Sequence, residues 1–207
     1  NHRTIYDFFK SSILGQVRSL ENYIAGPEKL IVSNINRVFY SSPGHSQETL
    51  DMVISTPAVA QLDEELLKLW QEGKVMPSNL RFSLKNSFEE IQDRYDIILI
   101  DCPPGLSLFS STALLASDFF VSPIIPEPLS LEGVRLVKDR VNVLKREYEC
   151  PVEFGGVILN MVKHYRNTHR TTAREVYEER RTEFRPLINW LPDAERLRAL
   201  GEFEFDE

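Results

Sequence analysis

No run of apolar residues in this 207-residue sequence is long enough to cross a bilayer, and its first residues carry no apolar signal-peptide core. Cysteine is scarce. Cys102 and Cys150 have neither the spacing of a metal site nor the number of a disulfide framework, so they read as small residues in a reducing compartment and the chain as cytoplasmic. Excess positive charge is also lacking: a formal net charge of −7 excludes a surface that coats nucleic acid all over, and any such contact has to come from a local patch. No phosphate loop of the form G-x-x-x-x-G-K-[ST] is present; the only Gly-Lys pair, Gly73-Lys74, is followed by Val75. The chain starts Asn1-His2-Arg3 without a methionine and closes on Glu204-Phe205-Asp206-Glu207, and it reads as cut from something longer.

What is present suits a globular protein. Hydrophobic residues at 42% and charged residues at 27% argue against wholesale disorder, and the length fits one α/β domain with a large core. Ile5, Phe8, Phe9, Ile13, Val17 and Leu20 follow a helical period weakened at Gly15. Leu30-Ile31-Val32 reads as a short strand and Ser41-Ser42-Pro43-Gly44 as a loop. Val59, Leu62, Leu66, Leu69 and Trp70 predict a surface helix ending near Gly73, and Ser87 to Glu90 has the spacing of a capping box that would start another. Ile97 to Ile100 reads as a strand buried on both faces, Ser110 to Ser117 as a helix and Phe119 to Ile125 as a second buried strand. Leu131 to Tyr148 reads as a long amphipathic helix and Val152 to Leu159 as a third strand. Strands separated by helices of this length imply a mostly parallel sheet flanked by helices.

In such a sheet, ligands gather at the carboxyl ends of the strands. Asp101 ends the apolar run from Ile97 and is placed at that edge, where a carboxylate needs a positive or hydrogen-bonding partner. A magnesium ion with its waters would serve, because Mg2+ is held through one or two carboxylates together with nucleotide phosphates. Pro103-Pro104 would stiffen the exit from the strand and Gly105 would act as a hinge, the parts of a sensor for a terminal phosphate. The same residues also suit a strand that merely meets a loop.

Three blocks supply further context: Tyr95-Asp96-Ile97-Ile98-Leu99-Ile100-Asp101-Cys102-Pro103-Pro104, Ala113-Leu114-Leu115-Ala116-Ser117-Asp118, and Pro123-Ile124-Ile125-Pro126-Glu127-Pro128-Leu129-Ser130-Leu131-Glu132-Gly133. In order and spacing they resemble the ParA/MinD family of deviant-Walker P-loop ATPases. Thr4-Ile5-Tyr6-Asp7 is similar to the segment after the family's second strand, Gly156-Val157-Ile158-Leu159-Asn160 to the strand leading to its adenine pocket, and Trp190-Leu191-Pro192-Asp193 with Arg196-Leu197 to a segment near its C-terminus. The pattern covers nearly the whole chain, loosely between Ser33 and Leu80.

The resemblance implies a single ParA-like α/β P-loop domain over residues 1–207, using ATP and Mg2+ and hydrolysing ATP as the intact protein. Asp101 would be the Walker B carboxylate, acting on magnesium through water, and Pro103 to Gly105 the second switch. Asn160 and the Pro192-Asp193 backbone would lie beside the adenine, although Asn160 also suits a plain strand-terminal turn. In the family the phosphate loop, the first strand and a catalytic aspartate all lie upstream of the segment resembling Thr4 to Asp7. The chain therefore reads as N-terminally incomplete and inactive by itself. Natural loss of the loop, leaving a non-enzymatic binding scaffold, is the other account.

Lys163, Arg166, Arg170 and Arg174 form a candidate basic patch. The resemblance implies that an ATP-bound homodimer uses such residues to bind double-stranded DNA nonspecifically, with a ParB-like partner stimulating hydrolysis, to position plasmid, chromosome or other cargo over the nucleoid. An ordinary solvated helix with charge pairs such as Arg174 with Glu178 would look the same, and only Tyr165 and Tyr177 are interleaved for base stacking. A MinD-like membrane-cycling regulator is the alternative. It wants a basic amphipathic C-terminal helix, and Gly201 to Glu207 carries the wrong charge, so no stable membrane anchor is expected. An iron–sulfur relative is disfavoured by the two isolated cysteines.

Overall fold

The computed structural model describes residues 3–16, 19–25, 51–74, 80–102, 105, 107–187 and 190–193. The strand expected at Leu30-Ile31-Val32 and the loop at Ser41 to Gly44 lie outside the described residues, as do Pro103 and Pro104. The chain divides into two compact units, Asn1–Ala116 and Ser117–Glu207.

In the first unit, helix α1 (Ile5–Ile13) starts where Asp7 turns back on Thr4: its Oδ2 accepts from the Thr4 amide at 2.8 Å and from the Thr4 hydroxyl at 3.0 Å. The carboxylate thereby fills an orphan donor at the positive end of the helix. The helix buries Phe8, Phe9 and Ile13, and Gly15 just after it adopts φ 70°, where a side chain would be strained. A 3-10 turn (Leu20–Tyr23) and a two-residue antiparallel pair, β1 (Ile24–Ala25) with β2 (Met52–Val53), follow. A second 3-10 turn (Pro57–Gln61) enters helix α2 (Leu62–Gln71), which buries Leu62 and Leu66, leaves Trp70 exposed, and runs out at Gly73 with φ 68°.

Two expectations for this unit need correction. Ser87 does not start a helix: it is buried within α3 (Ser83–Glu89), because burial of Leu80 and Leu84 carries the helical turn past it, and Ser83 Oγ donates instead to Leu80 O at 2.8 Å. The reciprocal serine pair is at Ser107 and Ser110. There Ser107 Oγ accepts from the Ser110 amide (3.1 Å) and Ser110 Oγ from the Ser107 amide (2.8 Å), opening helix α4 (Leu108–Leu115).

The second correction concerns 97–100. This segment is extended, but it joins no ladder among the described residues, and Ile97 and Leu99 are 76% and 91% exposed. A parallel strand becomes buried only when neighbours take its amides and carbonyls, and the described residues supply none here. Only Ile100 packs on the first core, which gathers Phe8, Phe9, Leu62, Leu80, Ile91 and Phe109.

The second unit is built on two parallel strands, β3 (Phe119–Ile124) and β4 (Glu153–Leu159), paired from Phe119 opposite Glu153 to Ile124 opposite Leu159, with the register shifting by one residue between Phe120 and Val121 as Gly155 is passed over. Helix α5 (Pro128–Tyr148) connects them, with Pro128 in its first turn, where the missing amide proton costs nothing, and Glu149 closing it at φ 51°. It turns Leu131, Val134, Val141 and Leu144 inward. β3 is not buried on both faces as expected: Phe119 and Val121 are exposed, while Ile124 joins a core with Leu131, Val134, Val157, Leu159, Val176 and Phe184. Helix α6 (Asn167–Arg174), a π-type turn (Glu175–Glu179) and the short helix α7 (Arg181–Phe184) follow.

The chain then returns beside β4 as a third parallel segment. Val157 N–H donates to Arg185 O, Leu187 N–H to Val157 O, and Leu191 N–H to Leu159 O. Gly156, at φ 140°, is required for this approach, because a Cβ there would collide with the Arg185 carbonyl.

Candidate functional site

The carboxyl end of β4 brings together two segments far apart in sequence. Past Leu159, Val162 N–H donates to Leu191 O and Asp193 N–H to Val162 O, both at 3.1 Å, so residues 159–162 and 191–193 run side by side. Asn160 and Pro192-Asp193, both placed beside the adenine by the resemblance, thus share one edge. Asn160 is fixed by its own amide N–H, which donates to Ile124 O at 2.8 Å, and by its side-chain oxygen, which accepts from Met161 N–H at 2.9 Å. That bond assigns the amide orientation and leaves Nδ2 as a donor with no partner among the described residues. Met161 takes φ 53°, uncommon for a residue with a side chain. The Asp193 amide is already committed to Val162 O, so the expected backbone donor at this position is occupied; the Asp193 carboxylate pairs with Lys163 Nζ at 3.3 Å.

Asp101 stands exposed in the first unit, at the end of the extended segment that begins at Tyr95. Tyr95 anchors that segment by donating its hydroxyl to Asp51 Oδ2 at 2.6 Å, and its phenol is pushed up to about 12, first by burial and then by the Asp51 carboxylate. Cys102, exposed as a residue, has its thiol pushed up by local crowding around the sulfur and secondarily by Asp101, which keeps it a poor nucleophile. Gly105 adopts φ 108°, a conformation that disfavours any side chain, and its carbonyl lies within hydrogen-bonding distance of Ser110 Oγ at 3.2 Å.

The basic patch is largely neutralised. Lys163 pairs with Asp193, Arg166 Nη1 lies 3.6 Å from Glu127, and Arg174 pairs with Glu178 at 2.8 Å, the i to i+4 arrangement that a solvated helix would use. Arg170 forms no ion pair among the described residues. Two residues gain roles that the sequence did not suggest. His169 is buried; its Nδ1 accepts from Lys163 N–H at 3.1 Å, so the proton sits on Nε2, which faces Glu127 Oε1 at 3.5 Å without a hydrogen bond. Glu127 therefore serves both Arg166 and His169 from the start of α5. It stands in a quoted motif block, but nothing in sequence spacing predicts a contact across some forty residues.

These residues suit one end of a nucleotide better than the other. The Asn160 edge offers a directed donor, whereas no group of three or more His, Cys, Asp or Glu side chains converges to hold a metal among the described residues, and the sequence contains no glycine-rich phosphate cradle. Among the described residues no helix is long and apolar enough to cross a membrane.

Comparison with known proteins is consistent with this arrangement. A family model described as an AAA domain matches residues 11–153. The chain is 31% identical over 141 residues to the sporulation initiation inhibitor protein Soj of Bacillus subtilis, covering 68% of this chain and 51% of that protein. It is 29% identical over 176 residues to the chromosome-partitioning ATPase Soj of Treponema pallidum, covering 84% and 62%. The chain thus spans between about half and three fifths of the length of these two relatives. In fold it is similar to cobyrinic acid a,c-diamide synthase from Mycobacterium smegmatis with bound ATP analog and magnesium, with a TM-score of 0.65 at 16% identity over 93% of this chain and 65% of that one. An α/β fold with a parallel strand pair, the motif blocks and the matched span agree: the chain belongs to this AAA-domain family, among the ParA/MinD-type P-loop ATPases.

Proposed function

We propose that this chain is the larger part of a ParA-type ATPase, a switch that binds ATP and Mg2+, dimerises, and holds double-stranded DNA nonspecifically for partition of a chromosome, plasmid or other cargo. One observation carries the reading: Asn160 and Pro192-Asp193, more than thirty residues apart, meet side by side at the carboxyl end of a parallel strand, where α/β proteins bind ligands. There Asn160 Nδ2 can donate to a purine ring nitrogen and the Pro192 carbonyl can accept from an exocyclic amine. Asp101 would help to hold the magnesium, through water, which would offset charge on the phosphates, and Pro103 to Gly105 would be the switch that responds to the terminal phosphate. Bound ATP·Mg2+ supplies the scissile phosphoanhydride. The groups that cradle its phosphates are absent from these 207 residues, which alone do not hydrolyse ATP. A ParB-like protein stimulates the intact enzyme, which works in the cytoplasm on the nucleoid.

DNA contact falls to Arg170 first, and to Lys163, Arg166 and Arg174 once their carboxylate partners are exchanged for phosphates. Titrating a labelled mixed-sequence duplex at increasing salt tests this. Sequence-independent binding that weakens steeply between about 50 and 200 mM salt is expected, with a shallower slope for Arg170→Ala. A duplex that does not bind at low salt removes DNA from the proposal.

A further inference from the structure

Beside the basic residues lies a groove whose aromatic lining the duplex reading leaves unused. It is an open groove of about 530 Å³ lined by His164, Arg170, Arg174, Tyr177, Glu178 and Trp190, among others. Trp190, among the lining residues, is 41% exposed. His164 and Tyr177 approach the indole edge-on, with centroids at 5.7 and 6.1 Å and planes inclined at 66° and 73°. Neither ring lies parallel to the indole, so the stacked partner that an aromatic face prefers is not supplied by these two neighbours. The three rings come from separate parts of the chain: the loop after β4, the π-type turn 175–179, and the returning segment. Such π-type turns are frequent at functional sites, and this one places Tyr177 in the groove.

We propose that this groove binds single-stranded nucleic acid, taking an unpaired base against Trp190 while Arg170 and Arg174 hold the flanking phosphates. The inference shares its charged residues with the duplex reading but rests on different chemistry. In a duplex the base faces are already stacked and cannot enter a concave pocket, whereas a single strand presents them freely. Arg170 and Arg174 are one helical turn apart, about 6 Å along α6, and so can engage neighbouring phosphates of an extended strand. Arg170 has no competing ion pair among the described residues, and the Arg174–Glu178 pair is exposed and weak. An acidic peptide would satisfy the guanidinium groups but would not need the ring corner.

The test compares a labelled mixed-sequence oligonucleotide, single-stranded and as its duplex, by fluorescence anisotropy with the 207-residue chain. Trp190→Ala is expected to weaken single-strand binding about 5- to 150-fold, the range for loss of one stacked base, with duplex affinity unchanged. Trp190→Phe should retain most of the single-strand affinity, and Arg170→Ala should weaken both. Because Trp70 is the only other tryptophan, Trp70→Phe isolates the Trp190 emission, which the oligonucleotide should quench even if Trp190→Ala fails to fold. Absence of quenching, equal losses for strand and duplex, or displacement of the strand by polyglutamate would overturn the proposal. If the duplex fails to bind while the strand binds and quenches, the groove stands and the duplex reading falls.

Discussion

The Nε2 nitrogen of His169 faces a carboxylate oxygen of Glu127 across 3.5 Å, and the same oxygen lies 3.6 Å from Arg166 Nη1. The start of α5 is thereby tied to the patch that follows β4. Glu127→Gln removes the negative charge while keeping the shape, and it releases Arg166 for a phosphate. An exposed ion pair is worth up to about 1 kcal/mol, so the expected result is about a two- to five-fold gain in affinity for a labelled duplex at low salt. An unchanged or weakened affinity would show that Glu127 does not mask the patch.

Gly156 and Arg185 give the sharpest stability prediction. At Gly156→Ala the added methyl collides with the Arg185 carbonyl and crowds the Leu187 side chain at 3.0 Å, inside ordinary van der Waals contact, and φ 140° is itself strained for alanine. Strain and overpacking together should lower stability by about 2 to 4 kcal/mol in urea unfolding followed by circular dichroism. Gly133→Ala is the internal contrast. That glycine lies within α5 with open space around it, and alanine should stabilise by about 0.5 to 1 kcal/mol.

Tyr95→Phe tests the anchor of the Asp101 segment. Because the folded phenol is raised from its usual value to about 12, folding favours the neutral form. The contribution is complete below about pH 10 and fades as pH rises through about 12. The wild-type chain should therefore lose stability in that window, with a component that Tyr95→Phe lacks, and an ultraviolet difference titration should show one tyrosine ionising late. At neutral pH the variant should lose about 1 kcal/mol, the upper hydrogen-bond values being reduced by partial exposure. Equal stability of the two proteins at neutral pH would mean that the Asp51 contact contributes nothing.

Local signals in the sequence served well wherever a segment makes its own structure. The apolar period from Leu131 to Tyr148, the parallel strands at either end of that helix, and the end of α2 near Gly73 are all legible, whereas at Gly15 the sequence shows only a weak point in a period that the helix in fact leaves after Ile13. So was the Arg174–Glu178 pair, because partners one helical turn apart are visible in the spacing. Ser87 misled because a capping-box spacing says nothing about whether the serine is already inside a helix; the pair that caps α4 has Ser110 where the usual pattern has a glutamate or glutamine. The run Ile97 to Ile100 has the composition of a buried strand, but burial depends on neighbours that composition does not name. The Glu127–His169 contact joins the chain just after β3 to the helix after β4, the corner formed by His164, Tyr177 and Trp190 depends on chain return beside β4, and no spacing rule connects those positions.

The central claim is that Asp101 belongs to the magnesium site of an ATPase whose phosphate cradle is not contained in these 207 residues. The most direct measurement is MgATP turnover by the 207-residue chain and by the protein expressed from its complete reading frame, each with and without Asp101→Ala. The account predicts no turnover by the 207 residues, and turnover by the complete protein that Asp101→Ala abolishes. Hydrolysis that persists unchanged in the complete Asp101→Ala protein would contradict it.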